Sequence, residues 1–264
     1  MNSHNFLWLV VVATLVFFPL CAQTQTQNAE AEIADDTNPT KPVFLSIRQE
    51  YYDLGSDRWT DLLLIRNDKV ILKNTQTLRP KGIILRVDLP FNSSHVPGES
   101  ATGLGDIYVQ SLFFPHLRRR FTIAAGTGVF FPTATDPILG KGKWQAAPLV
   151  VPMWIFPEAK GFFLTKFQDF ISFAGNGNRP EIHYHLITPT LLYRYTRKSW
   201  ILLDTEAKIN WQLDNRVSYR SGVQFGRMFN SRIGLWVKPE IPWGKNREGD
   251  WFLKFAVVIK AKVS

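Results

Sequence analysis

Residues 250–263 alternate between two kinds of side chain, and this pattern limits the possible folds more than any other feature of the sequence. Side chains alternate between the two faces of a β-strand with a period of two. One face carries Trp251, Leu253, Phe255, Val257, Ile259, Ala261 and Val263, and the other carries Phe252, Lys254, Ala256, Val258, Lys260 and Lys262. A tilted strand crosses a bilayer in about 9–11 residues, but only a closed barrel satisfies its backbone groups there. The segment therefore predicts one strand of a transmembrane barrel.

Earlier segments show the same kind of alternation and supply partner strands. We predict strands at residues 43–53, 60–73, 81–89, 104–114, 121–131, 144–156, 161–173, 182–196, 199–211, 217–229 and 232–241. Residues 60–73 are ambiguous between a strand and a helical turn, and residues 90–102 have the Asn, Ser, Pro and Gly content of a loop. Counting 60–73 once, the sequence predicts an all-β, antiparallel transmembrane β-barrel of about twelve strands.

The connections alternate in length, which indicates how the barrel is oriented. Short turns are predicted at 115–120, 157–160, 197–199 and 230–231, and longer loops at 134–143, 174–181 and 244–249. Outer-membrane barrels have short periplasmic turns, long external loops and two aromatic belts. We assign Phe113, Phe121, Trp154, Phe163, Tyr195 and Phe229 to the short-turn belt, and Phe131, Trp144, Phe173, Tyr184, Trp243 and Trp251 to the loop belt. From Trp200 to Trp211 a tilted strand rises about 26 Å, close to the apolar band of such barrels.

The first 42 residues are predicted to precede the strands of the barrel. An apolar run ending near Cys21, the only cysteine, and Ala22 predicts a signal peptide over residues 1–22. Residues 23–42 are polar and acidic, which is typical of a disordered periplasmic leader. The barrel is then formed by residues 43–264. The sequence has no second apolar run of the roughly 18–20 residues that a transmembrane helix requires.

The net charge of +9 does not indicate nucleic-acid binding, because the basic residues are scattered among strands and turns. The densest run, at 118–120, is a charged turn at a membrane face. The expected partners are outer-membrane lipid, the barrel-assembly machinery and an unidentified small solute. We expect a monomer.

A glycine-rich series of motifs suggests a family. Gly103-Leu104-Gly105-Asp106 opens one strand; Gly126, Gly128 and Pro132-Thr133 follow, and Leu139-Gly140-Lys141-Gly142 precedes Trp144. This order, over residues 103–156, resembles the family of bacterial outer-membrane transport proteins named for the meta-pathway of phenol degradation. The resemblance implies a porin-like Gram-negative barrel that takes up or exports small, including hydrophobic or aromatic, solutes.

Polar side chains on the inward faces are the candidates for a solute path. They are Asp106, Tyr108, Gln110, Asp204, Glu206, Lys208, Arg220, Lys238, Glu240, Lys254 and Lys260. Side chains of mixed charge either select solutes by charge, as pore-lining residues do, or form ion pairs that hold the strands of the interior together. We expect Asp106 to pair with a lumen arginine such as Arg220. The sequence leaves open whether the lumen is open or plugged.

Three constellations raise the alternative of an enzyme that modifies lipid. His183 and His185 share a strand face, but a metal site needs a third ligand, so they are predicted to be lumen or interface residues. Ser93-Ser94-His95 lacks an identified third group for a nucleophile, and Asp204 with Glu206 is followed by Lys208 in a neutralised network. We therefore predict no catalytic residues, metal or cofactor. A structural or soluble periplasmic β protein is the other alternative.

Overall fold

The described part of the chain forms one β-sheet that closes on itself. The computed structural model describes residues 44–72, 83–118 and 120–260. Thirteen strands lie in this part of the chain: β1 Leu45–Asp53, β2 Trp59–Leu72, β3 Ile83–Val96, β4 Glu99–Leu104, β5 Ile107–Leu117, β6 Phe121–Phe131, β7 Lys143–Phe156, β8 Gly161–Gly175, β9 His183–Tyr193, β10 Ser199–Asn210, β11 Arg216–Met228, β12 Ile233–Trp243 and β13 Trp251–Ile259. The predicted signal peptide and leader fall outside these residues, as do positions 261–264. Among the described residues, no helix has the length and apolarity needed to cross a membrane.

Every strand pairs antiparallel with its neighbours, and β1 closes the barrel by pairing with both β2 and β13. β3 pairs with β4 along its second half and with β5 along its first half. β4 and β5 therefore occupy one position in the wall, interrupted at Gly105 and Asp106, and the barrel has twelve strand positions. This confirms the predicted fold class and strand number.

The structure settles one ambiguous segment near the N-terminal side and corrects the prediction for a second. The ambiguous segment forms a single strand, β2, over Trp59–Leu72, as the count required. The loop predicted at 90–102 is wrong, because β3 continues to Val96 and turns at Pro97-Gly98 into β4. β2 pairs with β3 along this continuation, as far as Trp59 opposite His95. Backbone pairing with a long neighbour thus overrides the loop propensity of the Asn and Ser residues.

The outward faces form an apolar band between two aromatic belts. Phe121 and Phe131 both point outward on β6, and ten residues of tilted strand rise about 23 Å. Across β6, β7 and β8 the short-turn belt contains Phe121, Trp154 and Phe163, and the loop belt contains Phe131, Trp144 and Phe173. Between the belts, exposed side chains include Val150, Phe167, Leu191, Leu203 and Phe225.

Two of the aromatic assignments are wrong. Trp200 is fully buried inside the barrel, whereas Trp211 is exposed outside. An odd separation along a strand places two residues on opposite faces, so this pair cannot mark the two belts. Tyr184 also faces inward, because it pairs with Asn210 on the inward face of β10.

An apolar layer fills the barrel at its short-turn end. Its members are inward-facing and buried: Ile84, Leu112, Phe114, Ala124, Leu149, Val151, Met153, Phe162, Leu164, Leu192, Trp200, Leu202, Met228, Trp236, Ala256 and Val258. Gly226 makes room for the Trp200 indole, since a Cβ there would lie 2.0 Å from a ring atom. We call this set the apolar layer. Its side chains pack together inside the lumen on the side of the short turns.

A second, aromatic cluster faces inward nearer the long loops. Tyr108 stacks on Phe130 with ring centroids 4.3 Å apart, and Phe170 stacks on Tyr184 at 4.5 Å. Phe130 and Phe170 join the two pairs at 6.0 Å. Gly128 leaves space for Tyr108, whose ring would contact an added Cβ at 2.3 Å. The middle of the lumen therefore lies between two sets of packed side chains.

Candidate functional site

A cavity of about 270 Å³ occupies the middle of the lumen. Its apolar floor is contributed by four members of the apolar layer, Leu112, Leu149, Val151 and Leu164. Its polar walls are Arg48, Arg66, Arg86, Tyr108, Gln110, Lys166, Gln168, Thr188, Thr190, Asp204, Glu206, Arg220, Lys238, Glu240 and Lys254. This volume is slightly below the roughly 300–1,000 Å³ typical of small-molecule sites. The cavity is the candidate functional site.

One wall is built from reciprocal ion pairs between β2 and β3. Arg66 donates to both oxygens of Asp88 at 2.7 and 2.6 Å, and Arg86 donates to both oxygens of Asp68 at 2.7 and 2.8 Å. Each arginine stands directly opposite its carboxylate in the strand register. Bidentate arginine–carboxylate pairs fix side-chain orientation as well as charge. The two guanidinium groups are therefore held rigidly at the cavity.

A second part of the wall, separated from β2 by β1 and β13, is organised around Glu240 on β12, which is 2% exposed. Lys238 lies 2.7 Å, Arg220 3.1 Å and Lys254 3.2 Å from its carboxylate oxygens. Arg220 also donates to Glu206 at 2.8 Å, and Lys238 to Asp204. Lys254 continues the network to Glu50 on β1 at 3.4 Å. One carboxylate thus links three cations across adjacent strands.

Most of the predicted solute-path residues meet at this cavity. Eight of them line it: Tyr108, Gln110, Asp204, Glu206, Arg220, Lys238, Glu240 and Lys254. Lys208 faces the lumen nearer the loops, where it pairs with Glu248 at 2.8 Å. Lys260 directly follows β13 at the short-turn end, where its amide donates to the Arg232 carbonyl. Neither residue lines the cavity.

Asp106 has a different position from the one expected. Its carboxylate accepts hydrogen bonds from the backbone amides of Ala134 at 3.2 Å and Lys141 at 2.6 Å. It thereby fastens the loop that joins β6 to β7. The expected pairing with Arg220 is wrong, because Arg220 contacts Glu206 and Glu240. The Asp at the break between β4 and β5 holds a loop in place, and it lies outside the cavity lining.

Sequence analysis did not single out several lining residues, among them Arg48, Arg66, Arg86, Lys166 and Thr188. The sequence does contain a signal for the arginines. In Leu85-Arg86-Val87-Asp88 and in Ile65-Arg66-Asn67-Asp68, charged residues alternate with uncharged ones with a period of two. The ambiguity of residues 60–73 between strand and helix obscures the second of these patterns. The pairing of the two segments can be known only from the register.

The histidines of β9 lie on the outer surface. His183 and His185 sit 3.6 and 3.8 Å from the Asp169 carboxylate, and the His183 ring lies 6.1 Å from the Trp211 ring. Trp211 is exposed on the outer face just past the end of β10, so these are interface residues at the loop side. Among the described residues, no group of three His, Cys, Asp or Glu side chains is arranged to hold a metal ion.

A Ser–His–Asp contact occurs on the outward face of the β3–β4 hairpin. His95 Nδ1 lies 2.7 Å from the Ser100 hydroxyl, and its Nε2 lies 3.4 Å from Asp57. A catalytic serine requires a base that is held in place by a third group, and in the known triad that group is a buried acid. The Asp57 side chain is 82% exposed. We therefore assign this contact to holding the hairpin against the β1–β2 turn.

The β8–β9 loop is fastened to the start of β7, and this gives a pH-dependent prediction. Lys143 donates to Glu181 at 2.5 Å and Ser172 donates to its second oxygen, and the pKa of Glu181 is lowered chiefly by the Lys143 bond. A lowered pKa means that the stabilisation is full above the ordinary carboxyl value of about 4.3 and is lost as pH falls below it. Hydrogen exchange at residues 176–182 should therefore be slower than in Glu181→Gln at pH 7.

The difference in exchange rate between the wild type and Glu181→Gln should shrink as the pH falls through the lowered pKa. Both proteins are compared at the same pH, so that the intrinsic exchange rate cancels. Equal protection of the two proteins at pH 7 would show that the carboxylate does not fasten the loop.

The fold and lumen define a class, the twelve-stranded outer-membrane type of β-barrel. No family model matches the sequence, and no curated protein matches it. Among solved structures, the COG4313 outer membrane channel from Pseudomonas putida F1 has a TM-score of 0.71 at 12% identity, covering 86% of this chain and 99% of that chain. The NanC porin follows with 0.57 at 12% identity, covering 82% and 100%. The KdgM porin has 0.56 at 10% identity, covering 82% and 98%.

Proposed function

We propose that this protein is an outer-membrane channel that passes small solutes through the lumen of its barrel. The observation that carries the proposal is a charged cavity inside a closed wall whose outer face is apolar. A soluble protein rarely exposes a continuous apolar surface of this extent, whereas a membrane barrel requires one. The fold shared with outer-membrane channels supports the same conclusion.

Several features indicate how a solute would move. The loop end is solvated, since Glu248 beside Lys208 has 55% of its side chain exposed. A solute entering there would pass the aromatic cluster around Tyr108 and reach the cavity above the apolar layer. The apolar layer then acts as a closed gate, because hydrophobic constrictions exclude water and ions. Transport requires this layer to open.

The finer parts of the proposal follow from the sequence. They are a signal peptide over residues 1–22, a leader over 23–42, insertion by the barrel-assembly machinery, and a monomeric state. The resemblance to the transport family of the phenol meta-pathway further suggests hydrophobic or aromatic solutes, and an interior aromatic cluster suits such solutes. We also propose that the protein has no enzymatic activity, because the exposed Asp57 leaves His95 without a buried orienting acid.

Planar-bilayer recording of the purified, detergent-folded protein tests the proposal. We expect discrete, brief openings that reflect transient loss of the apolar layer. Folding is verified beforehand by the heat-dependent electrophoretic mobility of the barrel. Release of the protein from carbonate-washed membranes, or no current from folded protein at any applied voltage, would contradict the proposal.

A further inference from the structure

Lys166, on the inward face of β8, differs from the other cations of the cavity. Arg66, Arg86 and Lys254 each have a carboxylate within 3.4 Å, and Arg48, Arg220 and Lys238 also form ion pairs. Within the described part of the chain, Lys166 has no carboxylate within 4.0 Å and no hydrogen-bonded partner. Its ammonium group therefore faces the cavity with its charge uncompensated by a direct contact.

A hydroxyl beside Lys166 is also without a partner. Thr188 stands directly opposite Lys166 in the β8–β9 register and lines the same cavity. Its Oγ1 is buried and forms no hydrogen bond with any described residue. Buried polar groups are nearly always hydrogen-bonded, and an exception calls for an explanation. A cation and an unused hydroxyl on adjacent strands together form a place for an oxyanion.

The charge of the whole cavity leads to the same conclusion. The cavity lining carries the cations Arg48, Arg66, Arg86, Lys166, Arg220, Lys238 and Lys254 and the carboxylates Asp204, Glu206 and Glu240. Three more carboxylates do not line the cavity themselves but form ion pairs with these cations. They are Glu50, Asp68 and Asp88. Among the described residues, the six paired cations are thus matched by six carboxylates, and one positive charge remains, at Lys166. A single negative charge would neutralise this set of residues.

The remainder of the cavity is suited to an apolar group. Leu112, Leu149 and Leu164 form part of its floor. The Tyr108 ring, held by Phe130 and by a hydrogen bond from Gln168 to its hydroxyl at 3.1 Å, stands beside them. Small-molecule sites typically combine an apolar surface with a few polar groups that fix orientation. An anion with an aromatic ring matches this arrangement better than an inorganic ion.

We propose that Lys166 and Thr188 bind the carboxylate of a small aromatic monoanion in the lumen. Arg66 and Arg86 add to the positive electrostatic potential at this carboxylate. The aromatic ring packs against the apolar floor of the cavity. The proposal deepens the channel function, on which it rests, by naming a solute class. Charge-assisted hydrogen bonds to a carboxylate are stronger than neutral ones. Selection should therefore depend on the negative charge.

Equilibrium binding of benzoate and of its neutral analogue benzamide to the detergent-folded protein tests this assignment. The wild type should bind benzoate at least about tenfold more tightly than benzamide at pH 7. Lys166→Met should remove that preference, Lys166→Arg should restore most of it, and Thr188→Val should weaken benzoate binding severalfold. Lys69→Met, the same change on the outer face, should bind benzoate like the wild type.

Equal binding of benzoate and benzamide by the wild type would overturn the assignment, as would undiminished benzoate preference in Lys166→Met. Folding of each variant is checked by heat-dependent mobility, and Thr188→Val provides a nearly isosteric second test. Single-channel recording separates this inference from the channel proposal. Conductance without benzoate preference removes only the site, whereas benzoate preference without conductance retains the site and removes the channel.

Discussion

Replacing both Trp200 and Trp236 by alanine is expected to raise the average current at least about tenfold, because a hydrophobic constriction gates by excluding water. Both indoles belong to the apolar layer, and Trp200 is fully buried. The wall around them is held by continuous strand ladders, so the space left behind cannot collapse. Water would fill the gap and connect the cavity with the short-turn end. Single-channel recording measures the change.

An unusual feature of the two indoles strengthens this expectation. Among the described residues, neither the Trp200 nor the Trp236 Nε1 has a hydrogen-bond acceptor. An unsatisfied buried donor costs about 1–3 kcal/mol. Water in the layer would satisfy both groups, which lowers the free energy of the open state relative to a layer made only of aliphatic side chains.

Outward-facing tryptophans provide the matched control for this experiment. Trp211 and Trp243 are exposed on the lipid-facing side, and the double alanine variant should conduct like the wild type. Unchanged conductance in a folded Trp200→Ala/Trp236→Ala protein would contradict the gating function of the apolar layer. A wild type that is already continuously open would contradict it as well.

Substitution of Glu240 by glutamine is expected to destabilise the barrel by about 3–5 kcal/mol, because it leaves buried cations uncompensated. Three cations lie within 3.2 Å of the Glu240 carboxylate, which is 2% exposed. The amide keeps the shape of the side chain but loses its charge. The free energy of unfolding is measured by urea titration of the reconstituted protein with tryptophan fluorescence as the readout.

Glu248→Gln is the matched control, because Glu248 forms an ion pair with Lys208 but has 55% of its side chain exposed. Exposed pairs contribute about 0–1 kcal/mol, so this variant should unfold close to the wild type. Equal destabilisation by the two substitutions would show that burial and multiple contacts do not distinguish Glu240. Benzoate selectivity is measured separately and does not enter this comparison.

Much of the wall could be predicted from local pattern alone. β6 begins and ends at the predicted residues, Phe121 and Phe131. The continuous apolar face of β13 that begins at Trp251 lies outside, and the face that carries Lys254 lies inside, as its alternation predicted. A membrane barrel makes this possible because lipid and lumen impose opposite chemistry on alternate residues of one strand. The errors occurred where that contrast is weak, at the Asn- and Ser-rich continuation of β3 and at aromatic residues that face inward.

The candidate site could be predicted only in part. Period two placed Glu206, Arg220 and Glu240 inside the barrel, and these residues meet at the cavity. The period could not show that Asp106 holds a loop in place, or that Trp200 belongs to the apolar layer. Both depend on contacts with residues far away in the sequence. The distinction between a paired and an unpaired lumen cation is equally non-local.

The sequence by itself therefore determined most of the strands, most of their faces and the closed antiparallel wall, since each follows from the chemistry of neighbouring residues and the solvent on each side. Only the tertiary structure decided what the lumen contains. Strand register brings Arg66 to Asp88 and Arg86 to Asp68, and leaves Lys166 beside Thr188 without a carboxylate partner in the described chain. These contacts join residues far apart in the chain, and their energies depend on distance and burial, which a period of two does not encode.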